Sequence, residues 1–431
     1  MTPPDTLPTA ARDARLRFVH VLGAALQRYG APAHRLEDVL MTLCSQWGLE
    51  GHFFSTPTAL ISSFSGSGLG EGEQGRSYLH RIPGAEIDLG KLAKLDVVFN
   101  DAADGRVSPT EGVDLVKSVV AGASPWSSSL TTLCFAATSG AAARFFGGGL
   151  PEILLATIAG LALGLFALFT PRQPRLHHVF EPLGALLVSL TATLFAPLVL
   201  KLSQALDWGH SLSVDQATLG GLIVLVPGFS LTIAIAELAT RNLVSGTARL
   251  AAASMSFLML GFGTWLGRSL GQQALDWAAI DFPQVMADAL PPAAWTELIV
   301  VPIAATTIGI LFRAPARELG WIFIVSAFGW LSVTQASALF GPVAGVFFGA
   351  LAVGIASNFY ARLLDRPAST TRLPGLLFLV PGALGFLSIS TLMQGEPIEG
   401  LRSAFQVAMT SIALVTGLLA AAGFVPPRKA L

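Results

Sequence analysis

Charged and apolar positions divide this chain into two parts. Residues 1–125 are dense in charge, and long apolar runs follow a break near Ala123-Ser124-Pro125-Trp126. In the first part, residues 9–30 and 33–48 show helical periodicity. His52-Phe53-Phe54-Ser55 and Ala59-Leu60-Ile61-Ser62-Ser63-Phe64 read as strands, being rich in aromatic and β-branched residues. A glycine-rich turn (Gly66, Gly68, Gly70, Gly72, Gly75) leads to a third strand near Ser77–Ile82, and helices near 87–100 and 109–121 close the unit. Ser108-Pro109-Thr110-Glu111 is a helix start, with Ser108 as cap, Pro109 in the first turn and Glu111 completing a capping box. The second part holds about ten apolar segments long enough to span a ~30 Å hydrocarbon layer. They lie near 128–147, 150–170, 180–202, 217–239, 248–268, 295–312, 319–339, 341–361, 373–393 and 402–425.

This pattern predicts an α-helical polytopic membrane protein with an N-terminal soluble α+β domain. The expected units are 1–125, a first membrane module over 126–270 and a second over 290–427. Composition agrees. Of 431 residues, 52% are hydrophobic and 12% charged, and the mean hydropathy is +0.64. Soluble domains usually carry about 25% charged residues. Membrane helices tolerate Gly and Pro better than soluble ones, and the chain has 44 Gly and 26 Pro. A net charge of −1, with no basic run bearing interleaved aromatics, gives no footprint for nucleic acid. Cys44 and Cys134 lie far apart and predict neither a disulfide framework nor a metal site.

Orientation follows from the cationic residues. Residues 1–20 contain Asp5, Arg12, Asp13, Arg15 and Arg17 and no apolar signal region, so the N-terminal domain is expected to stay inside. Alternating from there gives each inner connection at least a basic pair: Arg172 with Arg175, Arg241 with Arg249, Arg313 with Arg317, Arg362 with Arg366 and Arg372, and Arg428 with Lys429. The outer side receives only Arg144, Lys201, Arg268 and Arg402, while Asp276, Asp281, Asp288, Glu396 and Glu399 collect there. This is the positive-inside bias, and it places both termini in the cytoplasm; the expected location is a bacterial inner membrane.

Two membrane segments share an unusual centre. Leu225-Val226-Pro227-Gly228 falls in the middle of the fourth, and Leu379-Val380-Pro381-Gly382 in the middle of the ninth. Proline removes a backbone donor and clashes with the preceding turn, and glycine loosens what remains. The third segment begins Glu181-Pro182-Leu183-Gly184-Ala185 and the eighth Gly341-Pro342-Val343-Ala344-Gly345. Pairing three with eight and four with nine implies a repeat of five helices, an odd number, so the halves would cross the membrane in opposite senses. Inverted repeats with discontinuous helices characterise many secondary transporters. Freed N–H groups at a half-helix start suit a carboxylate. Ser230 and Thr232 after the first break, and Ser388 and Ser390 after the second, are candidate hydroxyl donors. A Pro kink that binds nothing is the alternative.

Further residues resemble one family. Leu225–Leu250, with its Pro-Gly pair, Glu237 and Ser245-Gly246-Thr247-Ala248-Arg249-Leu250, resembles the threonine/serine exporter family. So do Pro32-Ala33-His34-Arg35-Leu36-Glu37, Ile87-Asp88-Leu89-Gly90-Lys91-Leu92 and Gly105-Arg106-Val107-Ser108-Pro109-Thr110-Glu111. The C-terminal half resembles the family's second membrane module, with Pro381-Gly382 as the matching element. The resemblance implies efflux of threonine and serine driven by the proton gradient. A related system that splits the modules between two proteins is associated with succinate export, so a small dicarboxylate is the runner-up substrate.

Ionisable groups inside a membrane are costly and mark candidate functional sites. Glu237 is a candidate proton carrier, or else an ordinary ion pair with Arg241 one helical turn on. Glu297 and Glu152 fall at outer helix starts and read as wetted, although Glu297 is retained as a second proton-coupling candidate. Glu181 complements a helix N-terminus. Asn358 either hydrogen-bonds between helices or meets solute. The substrate set is therefore Pro227, Gly228, Ser230, Thr232, Pro381, Gly382, Ser388 and Asn358. Gly66-Ser67-Gly68-Leu69-Gly70 lacks the context of a dinucleotide loop, and His177-His178 lacks further metal ligands. No Walker loop, intramembrane zinc motif or nucleophile elbow is present, which argues against a pump or hydrolase and predicts no cofactor. The expected partners are a small amino acid, protons and lipid. A homo-oligomer is left open, as is a channel or lipid-organising protein with a regulatory soluble domain.

Overall fold

The computed structural model describes residues 9–65, 76–82, 86–170, 174–208, 211–280, 293–393 and 395–426. The N-terminal unit contains α1 (Thr9–Arg28), α2 (Ala33–Gln46), β1 (Glu50–Thr56), β2 (Ala59–Ser65), β3 (Arg76–Arg81), α3 (Leu89–Ala103) and α4 (Pro109–Ala121). The three strands form one antiparallel sheet in the order β1-β2-β3, and Thr56 pairs with Ala59 across the first hairpin. Strand alternation puts Leu60, Ser62 and Phe64 on the buried face, with Phe54, Ile61 and Leu79 on the open one. The buried face joins Phe18, Leu22, Leu26, Leu36, Leu40 and Leu43 of α1 and α2 in one apolar core. Each such fully buried side chain contributes about 1.5–3 kcal/mol. Local signals set the helix starts. Asp88 accepts from Lys91 N at 2.9 Å to cap α3, and Ser108 accepts from Glu111 N at 3.3 Å to cap α4. The glycine-rich run at 66–75 lies outside the described residues, as do the side chains of His177 and His178.

The remaining helices are α5 (Ser128–Phe145), α6 (Leu150–Phe169), α7 (Phe180–Ala205), α8 (Val214–Leu222), α9 (Gly228–Ala239), α10 (Leu243–Trp277), α11 (Glu297–Leu311), α12 (Leu319–Phe340), α13 (Pro342–Leu364), α14 (Ser369–Leu376), α15 (Gly382–Met393) and α16 (Pro397–Phe424). Among the described residues, seven helical stretches are long and apolar enough to cross a membrane, and Gly228–Ala239 and Gly382–Met393 are shorter apolar helices. Three of the ten expected segments therefore differ. The fourth and ninth are each two helices, because the Pro-Gly pairs interrupt them. The first, α5, carries Ser, Thr, Gly and Arg144 along its length and is not among the seven. The fifth segment is also longer than expected, since α10 runs for 35 residues.

The two halves meet along an antiparallel seam between α5 and α11. Trp126 Nε1 donates to Ala314 O at 2.8 Å, Thr138 Oγ1 to Thr307 Oγ1 at 2.8 Å, and Arg144 pairs with Glu297 at 3.2 Å. The start of α5 thus lies beside the end of α11, and the reverse. The N-terminal unit sits on one end of this bundle, the proximal end. Leu89 N donates to Phe312 O at 2.9 Å, and Arg313 lies 3.3 Å from both Glu86 and Asp88. Arg144 and Glu297 mark the distal end.

Candidate functional site

Both breaks are built the same way. In the first, Leu225 N and Val226 N turn back to Leu222 O at 2.8 and 3.2 Å. In the second, Leu379 N and Val380 N turn back to Leu376 O at 2.8 and 3.0 Å. The helix restarts identically, with Leu231 N bonded to Pro227 O and Gly385 N to Pro381 O, each at 3.0 Å. Identical Leu-Val-Pro-Gly sequence thus yields the same turn and restart, to which the first break adds a bond from Gly228 N to Val226 O at 2.8 Å. The end of each α8- or α14-type half is tied into a tight turn rather than left open.

The breaks then meet each other. A methyl group built on Gly228 would fall 3.0 Å from Gly382 Cα and 3.3 Å from Gly382 N, and against the Val380 side chain. One built on Gly382 would fall 3.1 Å from Gly228 Cα and 2.7 Å from Val226 Cγ1. The chains cross backbone to backbone, at a separation that only glycine allows. Gly228, Gly382 and Pro381 are buried and Pro227 is half-buried. The crossing brings the N-terminal ends of α9 and α15 together, and with them the positive ends of two helix dipoles.

The predicted hydroxyls do not gather there. Thr232 donates to Gly228 O at 3.1 Å within its own helix, and Ser388 to Gly400 O at 2.7 Å on α16. Ser230 is exposed and Ser390 half-buried. Asn358 donates to Val425 O at 2.7 Å, tying α13 to the end of α16, while its buried Oδ1 has no partner. The structure therefore unites Pro227, Gly228, Pro381 and Gly382 and leaves the polar candidates apart from them, with Thr232 bonded inside α9 and Ser388 and Asn358 bonded to α16.

Glu237 is fully buried and sits at a second focus, at the proximal end. It does not pair with Arg241. The chain reverses there, and Arg241 is in the left-handed region at φ 66°, so helical spacing does not apply. Instead Arg249 Nε lies 3.2 and 3.1 Å from the two carboxylate oxygens, and Ser245 Oγ donates at 2.8 Å. The backbone N–H of Ala33, at the start of α2, donates to the same carboxylate at 3.0 Å. One carboxylate thus links α9, α10 and the N-terminal unit, and two of the sequence motifs noted above meet on it. Glu37 accepts from Ser55 N at 2.7 Å. Burial pushes the Glu37 carboxyl up; the Ser55 bond opposes this, and Asp38 and Glu237 add to it.

Three more acids are placed. Glu297 pairs with the buried Arg144 at 3.2 Å and is partly exposed. Glu152, expected to be wet, is 1% exposed. It folds back on Gly149 N at 2.8 Å and accepts from Ser213 N at 2.6 Å. Sequence reasoning missed Glu318, which is 2% exposed and takes Arg366 at 2.6 Å, Arg317 at 3.1 Å and the Tyr360 hydroxyl at 2.5 Å. In the N-terminal unit, His20 lies 2.7 Å from Ser62 Oγ, and burial followed by the neighbouring His80 pulls its pKa down to about 4. Among the described residues no group of three or more His, Cys, Asp or Glu could hold a metal ion.

Comparison with known proteins connects these features. A family model described as "Putative threonine/serine exporter" matches residues 17–271, and one described as "Threonine/Serine exporter, ThrE" matches residues 297–423. Pheromone-regulated membrane protein 10 of Pichia sorbitophila is 25% identical over 403 residues, covering 91% of this chain and 38% of that protein. The Saccharomyces cerevisiae protein of that name is 25% identical over 398 residues, with coverages of 90% and 48%. The Debaryomyces hansenii protein is 26% identical over 441 residues, with 96% and 42%. The chain spans less than half the length of these relatives. No solved structure matches it. The first family match alone takes in the N-terminal unit, the first break and Glu237, and the second takes in the other break, so this chain belongs to the threonine/serine exporter family.

Proposed function

We propose that this membrane exporter moves threonine and serine out of the cell by proton-coupled antiport. The observation that carries the reading is the crossing of two broken helices at Gly228 and Gly382. Two half-helix N-termini at one point favour an anionic group, and the amino-acid carboxylate is the group they would hold. In this reading the two modules are inverted repeats that form ten crossings, counting each broken pair as one. Alternating access is the rocking of one module against the other around the crossing. The N-terminal unit and the C-terminus lie in the cytoplasm of a bacterial inner-membrane protein. Glu237 carries the coupling proton, exchanging it as its bond to Arg249 opens and closes.

A second reading shares this geometry. Two converging helix N-termini also suit a molecule with two carboxylates, such as succinate. Purified protein in liposomes preloaded with labelled threonine separates the two. Release that needs an imposed pH gradient and is suppressed by unlabelled serine supports the first reading. Release suppressed only by succinate supports the second. Absence of saturable release from folded protein overturns both.

A further inference from the structure

Glu152 and Glu318 occupy matching places in the two halves. Before Glu152, Gly148 N bonds Ala143 O at 2.9 Å just after Gly147 at φ 85°. Before Glu318, Ala314 N bonds Gly309 O at 2.9 Å just after Arg313 at φ 56°. The same helix-ending turn thus leads into each acid. Glu152 lies in the first turn of α6, and Glu318 stands at the N-cap position of α12, with its carboxylate turned to other partners. Their exposures are 1% and 2%.

Each acid also bonds the entry to a broken helix, Glu152 through a backbone N–H and Glu318 through a side chain. Ser213, which donates its N–H to Glu152, is the N-cap of α8, the entry to the first broken helix. Arg366, paired with Glu318, lies just before Ala368, the N-cap of α14 and the entry to the second. The two contacts are at opposite ends of the bundle. Glu152 follows Arg144 at the distal end, and Glu318 follows Arg313 beside the N-terminal unit at the proximal end.

We infer that Glu152 and Glu318 are positioning residues that latch the two gates of the transport cycle, one at each end. The inference rests on the alternating-access reading above. A buried carboxylate that loses its donors is costly unless water replaces them. Each latch is therefore stable when its end is closed and bonded, or open and hydrated, and unstable in between. That makes each gate two-state. Neutralising one acid weakens the closed state at its own end only and shifts the population toward opening there.

The test uses a background with Cys44 and Cys134 replaced by serine and one reporter cysteine at Val224 in the first break. An impermeant maleimide is applied from either face of oriented proteoliposomes. Glu318→Gln is expected to raise labelling from the proximal face by about fivefold or more and lower it from the distal face. Glu152→Gln is expected to do the reverse. Arg366→Gln should copy Glu318→Gln, and Ser213→Pro, which removes the donor, should copy Glu152→Gln. This second pair decides the matter if a glutamine variant does not fold. Shifts in the same direction, or none, overturn the latches. Labelling needs no substrate, so opposite shifts without amino-acid release would keep the latches and sink the exporter reading; intact release without them would do the opposite.

Discussion

Removing the Glu237 carboxylate should both destabilise the bundle and loosen the N-terminal unit. Glu237→Ala deletes the bonds to Ser245, Arg249 and Ala33 together. Arg249 is left 13% exposed with no counter-charge. Breaking a buried ion pair by losing one member costs about 3–5 kcal/mol. The Ala33 N–H, on a residue 1% exposed, becomes an orphan donor at about 1–3 kcal/mol. Arg249 lies near the bundle end and can recover some water, so the low end of each range applies, about 4 kcal/mol in all. Arg249→Ala alone should cost about 3 kcal/mol by leaving the carboxylate unpaired. The double variant leaves no charge unpaired, so it should cost no more than Glu237→Ala alone, and the pair is coupled by about 3 kcal/mol or more. Unfolding in mixed micelles supplies the three energies, and hydrogen exchange at Ala33–Leu36 should quicken in Glu237→Ala. Additive costs, with coupling below about 0.5 kcal/mol, would refute the pairing argument.

Other outcomes follow from the same geometry. Gly228→Ala and Gly382→Ala each force a methyl to within 3.0 or 3.1 Å of the facing Cα, against ordinary contacts of ~3.5–4.0 Å. Each should cost about 1–3 kcal/mol and abolish release from liposomes, and the double variant should exceed their sum, as thermal unfolding would show. His20 has a folded pKa lowered from 6.5 to about 4, so the folded state resists its protonation. Stability of the N-terminal unit is complete above pH 6.5 and falls by up to about 3 kcal/mol as pH drops to about 4; His20→Leu should flatten that part of the pH profile. Burial pushes the Cys44 thiol up to about 12, so iodoacetamide at pH ~8 should spare it in folded protein and modify it on unfolding, read by mass spectrometry.

Much of this architecture is written in local chemistry. The caps at Asp88 and Ser108 and the breaks at Pro227 and Pro381 depend on a few adjacent residues, so the sequence displays them. The meeting of Gly228 with Gly382 was approachable through the repeated Leu-Val-Pro-Gly, but a repeat does not say that its copies touch. The partner of Glu237 was hidden because helical spacing points to Arg241, and the chain reverses between them. Arg249 was visible as an inner-loop cation and inside a family motif, but not as the partner of Glu237. Glu152 and Glu318 were hidden for another reason. An acid at a helix start looks solvated, and only tertiary packing reveals that the entry to a distant helix covers it. The polar candidates Ser388 and Asn358 show the converse, since membrane helices use such groups to bond to one another, while Thr232 bonds back within its own helix.

The glycine crossing also bears on how the molecule is assembled. Its contact surface is main chain from two distant stretches, flanked by Val226 and Val380, and neither module contains all of it. A first module made alone would present a bare glycine turn with nothing to lie against, and so would the second. The crossing is therefore a product of assembly, whether the modules are joined by the segment after Trp277 or made as separate polypeptides. Fragments ending near that segment should be inert singly and recover release when co-expressed. The repeated Leu-Val-Pro-Gly thus supplies the same glycine to both sides of the crossing.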